Sequence, residues 1–427
     1  MRKFYFYIHI GTEKTGSTTI QNVLKQTSND LQNAGFAYLV THGRIESRAF
    51  AAAAINDKQP DDFLQSIDKQ SSEERQALRE QLALELQDFT AQLPVHVHSI
   101  ILSSEHFHSR LRHPRDVQWL HDFLLPYASR FTIICYLRPQ AELVASSYST
   151  MLKNNDTRSF HEVVEKICLP SNHYYNYQKI LNLWAGVFAH TSIVPRVFSI
   201  GKFLKGDVVA DFFNIIGVHD DFYKQEKHAR QRLNESLSPV GQLILRTLNI
   251  AGKEYKKSLS DNQYIDCEAL IETFKVKVIS SFSGKGEAVN DAQFERIERD
   301  FWKSNEQVGL EWFDNDKALL ATKPCFENKV INSYCPSLTE PQLLLLEEVV
   351  AFLDELDGRY LVKLDPLASV FRDIAVMREN KSLEIAYRWM CLAQRIRPNG
   401  PFINRKVDAY QSARNHPLYR LKRIIFS

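Results

Sequence analysis

From Phe4 to Ile10 the chain is an almost unbroken apolar run, and Gly11 closes it. A run of that kind is the pattern of a strand covered on both faces. Ile20, Val23 and Leu24 then recur at helical spacing between Thr18 and Gln26, so the opening predicts strand, glycine loop and helix. Over 75–93, Leu78, Leu82, Leu84 and Leu86 mark an amphipathic helix. It leads to a strand from Val95 to Leu102 that ends in Ser103, Ser104, Glu105 and His106. A third strand, Phe131 to Leu137, ends at Arg138, and a helix from Tyr177 to Phe188 leads to a fourth, Ser192 to Phe198. Short apolar strands alternating with helices predict an α/β fold with a central parallel sheet. Ligands of such sheets sit beyond the carboxyl ends of the strands, which directs attention to the loops after Ile10, Leu102 and Leu137.

From about residue 228 the strand pattern stops. Helical spacing takes over at Val240 to Leu248, Cys267 to Ser281, Phe294 to Phe313 and Glu340 to Leu356. In the segment 367–413, Ala386 and Ala393 lie seven apart before Pro398, and a further helix runs through Val407 and Tyr410. That spacing resembles one tetratricopeptide unit with a capping helix, or a helical cap on the main domain. The expected boundary is 323–337, near Pro324 and Pro336, giving a sheet-bearing domain over 1–323 and a helical region over 337–427.

Composition narrows the function classes. A chain of 427 residues fits two domains. A net charge of +2 gives no bulk attraction to nucleic acid or to a membrane surface, so any basic partner site must be local, and no nucleic-acid partner is expected. The six cysteines are scattered, with no C-x-x-C and no Cys/His set at ligand spacing; reduced thiols and no metal site are expected. No apolar stretch approaches the ~18–20 residues of a membrane span. The residues before Gly11 read as a strand rather than a signal core. The expectation is a cytoplasmic protein without an integral membrane segment.

The loop after the first strand reads GTEKTGSTT. Gly11 and Gly16 have the separation of a nucleotide-triphosphate loop, G-x-x-x-x-G-K-[ST], and Thr18 fills its hydroxyl position. Ser17, however, stands where that loop needs lysine, and the nearby lysine is Lys14. Backbone N–H groups and the helix dipole still favour an anion, but the charge has moved to the crown of the loop.

GTEKTGSTT resembles the 5′-phosphosulfate loop of sulfotransferases that use 3′-phosphoadenosine-5′-phosphosulfate (PAPS), and in form is nearest to the K-T-G-T-T loop of glycan-type members such as heparan sulfate N-sulfotransferases. The family's second signature is a strand-end arginine followed eight residues on by serine, often with an aromatic two beyond; YLRPQAELVASSYSTM supplies Arg138, Ser146 and Tyr148 in that register. Ser147 is the adjacent alternative. The resemblance implies a P-loop-like three-layer fold in which Thr12, Glu13, Lys14, Thr15, Gly16, Ser17 and Thr18 hold the 5′-phosphosulfate. Arg138 and Ser146 would hold the 3′-phosphate, and Lys14 would stabilise the departing 3′,5′-bisphosphate (PAP). Weaker matches extend it over about 3–320. The chain departs from the small-molecule branch in lacking an R-K-G…G-x-W-K segment, for which Arg232, Asn234 and Ser236 are the candidate substitutes.

Sulfuryl transfer needs a base for the acceptor hydroxyl or amine. Glu105 and His106 lead, with Glu13 and His9 behind them, since members of the family resemble one another in using Glu or His. The run Arg110, Arg112, His113 and Arg115 suits an anionic acceptor such as an acidic polysaccharide, although such runs are more often solvated. Tyr174, Tyr175 and Tyr177 suit sugar stacking or core packing. Arg420, Lys422 and Arg423 lie in a segment too short to read as a membrane contact. The expected function is a PAPS-dependent sulfotransferase that needs no metal and acts on a carbohydrate. The alternatives are a P-loop kinase with an aberrant loop, or a non-catalytic scaffold built on a dead nucleotide fold.

Overall fold

A computed structural model describes residues 2–41, 46–218, 236–256, 261–314, 320, 338–380 and 382–416 of the chain. Five strands, β1 (Phe4–Gly11), β2 (Phe36–Tyr38), β3 (Ser99–Ser103), β4 (Ala128–Leu137) and β5 (Ile193–Val197), form one sheet in the order β2-β3-β1-β4-β5. Every pairing is parallel. The expected α/β fold with a central parallel sheet is therefore present.

Its apolar runs are continuous because both faces are covered. Tyr7, Ile101, Ile134 and Tyr136 turn to one face, against Ile20, Val23 and Leu24 of the helix Ser17–Gln26 and Val209, Phe212 and Phe213 of the helix Val208–Ile216. On the other face the Phe131 ring lies 5.9 Å from Phe6 and 5.0 Å from Phe188, and Trp184 meets Phe107 at 6.3 Å. Trp184 and Phe188 belong to the helix Tyr177–Phe188, whose observed ends are those the sequence predicts.

The strand expected from Val95 to Leu102 is β3, which begins at Ser99. Val95 is 93% exposed, and the Arg2 guanidinium holds the carbonyls of Leu93 and Pro94 in a turn at 3.2 and 2.8 Å. The short edge strand β2 was not among the predicted elements. After β3 the chain crosses β1 to enter β4, so the carboxyl ends of β1 and β4 flank the reversal of strand order, where ligands of such sheets bind.

The chain divides into two compact units interleaved in sequence. The sheet-bearing unit comprises Met1–Ser147, Val164–Asn234 and Asp291–Pro324. The second comprises Tyr148–Val163, Glu235–Asn290 and Cys325–Ser427, so it draws on stretches that lie before 323. The boundary expected at 323–337 lies outside the described residues. In the first unit, Asn305 of the helix Asp291–Trp312 exchanges two amide hydrogen bonds with Gln140, at 2.9 and 3.1 Å.

In the second unit, the helices Asp365–Arg378, Leu383–Ile396 and Pro401–Asn415 follow one another, with Ala386 and Ala393 both fully buried. Phe371 and Trp389 pack at 5.4 Å, and Arg397 donates to both Asp365 carboxylate oxygens at 2.7 Å.

Candidate functional site

The loop from Gly11 to Ser17 is built by two glycines for two different reasons. Gly16 has φ 76°, a left-handed conformation that favours glycine, and a Cβ there would also lie 3.1 Å from Val208 Cγ1. Gly11 has φ 97°, and its Cβ would come within 3.2 Å of Glu105 Cα. A side chain at 11 would thus push the end of β3 away from the loop. Lys14, at the crown, has φ 62°. Thr12 fastens the loop to β4: its N–H and its hydroxyl both donate to the Tyr136 carbonyl at 3.0 Å. The Thr15 hydroxyl donates to the Thr12 carbonyl at 2.5 Å. Ser17 opens the following helix, which has no side-chain cap and no acidic residue in its first turn. Its leading N–H groups suit an anion. Thr18 is half-buried in that first turn.

Arg138 reaches this loop from the end of β4. Its Nη1 donates to the Lys14 carbonyl at 3.0 Å, its Nε to Glu142 at 3.3 Å, and its guanidinium lies 5.5 Å from the centre of the Phe198 ring. The Tyr177 hydroxyl donates to the Arg138 carbonyl, which gives that tyrosine a structural task. Ser146 is half-buried, whereas Ser147 is buried and turns its hydroxyl back on the Val144 carbonyl at 3.1 Å. The Tyr148 side chain is buried, and its hydroxyl donates to the Arg158 carbonyl at 3.0 Å.

Glu13 is held from two sides. Its carboxylate accepts from the Tyr174 hydroxyl at 3.0 Å, and its N–H points at His108 Nδ1 at 3.5 Å. His108 Nε2 lies 3.1 Å from the Tyr174 carbonyl, which can only accept, so the proton sits on Nε2 and Nδ1 is bare. Burial lowers the His108 pKa to about 4, in keeping with a neutral ring. Tyr174 is thereby committed to Glu13 and His108 rather than displayed for stacking, and Tyr175 is buried.

At the end of β3, Glu105 accepts from the Gln21 amide at 2.8 Å. His106 faces Glu46, with Nε2 3.8 Å from the carboxylate, and Glu46 in turn accepts from the Ser104 hydroxyl at 2.8 Å. Donor atoms of Glu46, Glu105 and His106 all lie within 4.8 Å of one another. Burial first, then the Arg48 guanidinium, lowers the His106 pKa to about 4. That spacing would also admit a divalent cation, but Arg48 and Arg110 face the same imidazole and oppose further positive charge. His9 is sealed in the core, with Nδ1 2.8 Å from the Ser103 hydroxyl and Tyr136 and Phe212 edge-on to its ring.

Much of the basic run is engaged internally. Arg110 pairs with Asp62 at 2.7 Å, Arg112 Nε donates to the Ser109 carbonyl at 2.7 Å, and Arg115 lies 3.5 Å from Asp116. The fully buried Arg48 pairs with Asp61 at 2.5 Å. Arg232, Asn234, Arg420, Lys422 and Arg423 lie outside the described residues.

The structure therefore brings Glu13, Lys14, Glu105 and Arg138 to the carboxyl ends of β1, β3 and β4, with His106 beside Glu105. Sequence reasoning missed Gln21, Glu46 and His108. Gln21 carried a signal, since it is a polar residue beside Ile20 on a buried helix face. Glu46 and His108 carried none, because neither belongs to a motif.

No protein-family model matches the chain. An uncharacterized protein of Archaeoglobus fulgidus is 27% identical over 117 residues, a stretch amounting to 27% of this chain and 30% of that protein. The chain thus matches less than a third of this curated relative's length. A crystal structure of a sulfotransferase from Alicyclobacillus acidocaldarius aligns at TM-score 0.33 and 15% identity, over 53% of this chain and 90% of that one. Similarity at that level decides neither donor nor activity. Among the described residues no helix is long and apolar enough to cross a membrane.

Proposed function

We propose that the protein is a sulfotransferase that moves a sulfuryl group from PAPS to a hydroxyl or amine on a carbohydrate acceptor. The observation that carries this reading is the join between Arg138 and the glycine loop. A strand-end guanidinium is fixed on the Lys14 carbonyl, next to a helix N-terminus with no cap of its own. Two anionic groups of one ligand are served there, one by the loop and one by the arginine fork.

In this reading Thr12, Glu13, Lys14, Thr15, Gly16, Ser17 and Thr18 form the 5′-phosphosulfate cradle. Arg138 and Ser146 hold the 3′-phosphate. PAPS supplies the sulfuryl group and a bisphosphate leaving group. Lys14 offsets the charge that grows on the leaving phosphate. Glu105 takes the proton of the acceptor; it is held against the loop by the absence of a side chain at Gly11 and oriented by Gln21. Residues 1–323 supply the donor site and 337–427 a helical appendage.

The test is calorimetric titration of wild type and Lys14→Ala with PAP, beside ATP with Mg²⁺. Wild-type binding of PAP, weakened in the variant, is the expected result. It would be followed by a screen of radiolabelled PAPS against neutral, amino-sugar and acidic polysaccharides. Binding of ATP–Mg²⁺ in preference to PAP sinks the reading.

A further inference from the structure

Strands β4 and β5 pair Tyr136 with Arg196 and Leu137 with Val197, so Arg138 and Phe198 are next in register. The Phe198 N–H continues the ladder, donating to the Leu137 carbonyl at 2.7 Å. Side chains alternate across a sheet, which turns Arg138 and Phe198 to the face that Tyr136 and Arg196 already occupy. That face is anchored by the buried Asp211, which accepts from the Tyr136 hydroxyl at 2.9 Å and from two N–H groups of Arg196 at 3.1 and 2.6 Å. Beyond this anchor the Phe198 ring meets both parts of the proposed donor site. The Arg138 guanidinium lies over it, 5.5 Å from its centre, and its edge is 3.5 Å from where a Gly16 side chain would begin. Phe203 backs the ring edge-on at 5.2 Å. We propose that Phe198 is a positioning residue of the donor site, its ring setting the Arg138 guanidinium against the glycine loop so that a nucleotide carrying a 3′-phosphate is selected over one without.

This rests on the sulfotransferase reading, in which the loop takes the 5′-phosphosulfate and Arg138 the 3′-phosphate. Two anion subsites discriminate as a pair only when the distance between them is fixed. Arg138 spends Nη1 on the Lys14 carbonyl and Nε on Glu142. A further polar partner would use up donors that phosphate needs. An aromatic ring holds the cation through its quadrupole and takes up no N–H, so it steadies the guanidinium without competing with the ligand. Contact with both Gly16 and Arg138 makes the same ring the spacer between the two subsites.

The experiment is a double-mutant cycle at Phe198 and Arg138, read as PAP affinity by calorimetry. Phe198→Leu keeps an apolar side chain and removes the ring; PAP affinity should fall roughly 3- to 30-fold. Affinity for adenosine 5′-phosphate, which lacks the 3′-phosphate, should stay at the wild-type value when measured by displacement of radiolabelled PAP. Phe198→Tyr, which restores a ring, should recover most of the loss. Added to Arg138→Ala, Phe198→Leu should cost no further PAP affinity, because the group it positions is gone. A general loosening of the fold would instead weaken both nucleotides and persist without Arg138. PAP affinity within about twofold of wild type in Phe198→Leu, an equal loss for adenosine 5′-phosphate, or additive losses in the double variant would each overturn the proposal. A wild-type protein that binds no PAP fails the sulfotransferase reading itself, and this proposal with it.

Discussion

Arg138→Ala isolates the contact on which the proposed donor site depends. The guanidinium makes one hydrogen bond to the Lys14 carbonyl at 3.0 Å and one to Glu142 at 3.3 Å, and its side chain is 20% exposed. Losing the carbonyl contact costs about 1 kcal/mol of folding stability, and the Glu142 pair adds at most about 1 kcal/mol because both partners meet water. The variant should therefore stay folded. Its effect on ligand affinity is larger, because a charged hydrogen bond to phosphate is worth about 1.5–3 kcal/mol. That corresponds to a loss of PAP affinity of roughly 10- to 100-fold. Arg138→Lys keeps the charge but not the planar fork, and should fall between the two. The assay is calorimetric titration with PAP, alongside thermal melts of each protein. PAP affinity within about twofold of wild type in a folded Arg138→Ala protein would refute the reasoning.

Gly16→Ala places a Cβ 3.1 Å from Val208 Cγ1 at φ 76°, and should cost about 1–2 kcal/mol and lower the melting temperature, with PAP binding lost to a greater degree. Val208→Ala added to it should restore only the steric part, which a melt of the double variant reads. Tyr174→Phe removes the hydroxyl that holds Glu13; a destabilisation of about 1 kcal/mol and a lower turnover are expected by urea titration and PAP release. Acid should destabilise the fold, because burial lowers the His9 pKa to about 3 and the His108 pKa to about 4, below the ordinary 6.5. Between those values the unfolded chain binds protons that the folded chain refuses, so this stability is complete above pH 6.5 and is lost as pH falls toward 4. At pH 5 each ring should cost about 2 kcal/mol relative to pH 7.5; an unchanged urea midpoint at the two pH values would contradict it.

The strand–loop–helix opening was legible because one short segment carries all of its causes. An apolar run demands two covered faces, a glycine demands a left-handed turn, and the next apolar positions fall on one helix stripe. The helix Tyr177–Phe188 was legible for the same reason. The edge strand β2 was not, since three residues cannot display alternation. Nor could the start of β3 be placed, because Val95 alternates with Val97 as a strand would, while the turn that leaves it exposed is held by the distant Arg2. At the site, Glu13, Lys14, Glu105 and Arg138 follow from strand ends. Glu46 and His108 are brought in by folding across distances no local pattern encodes, Glu46 lying 58 residues from the Ser104 hydroxyl it accepts from. His9 shows the converse, a residue beside the loop in sequence whose ring the sheet turns into the core.

The buried amide exchange between Gln140 and Asn305 has a bearing on how the chain matures during synthesis. Gln140 lies two residues beyond Arg138, and its partner comes 165 residues later. Every strand of the sheet has left the ribosome long before that partner is made, and the turn carrying Arg138, already tied to Tyr175 and Tyr177, gains its last amide partner only when the helix Asp291–Trp312 emerges. Contacts of such separation close late, so nascent chains released before about residue 312 should hold a formed sheet and an unfinished arginine turn. Donor competence would then arrive at a late, single point in translation.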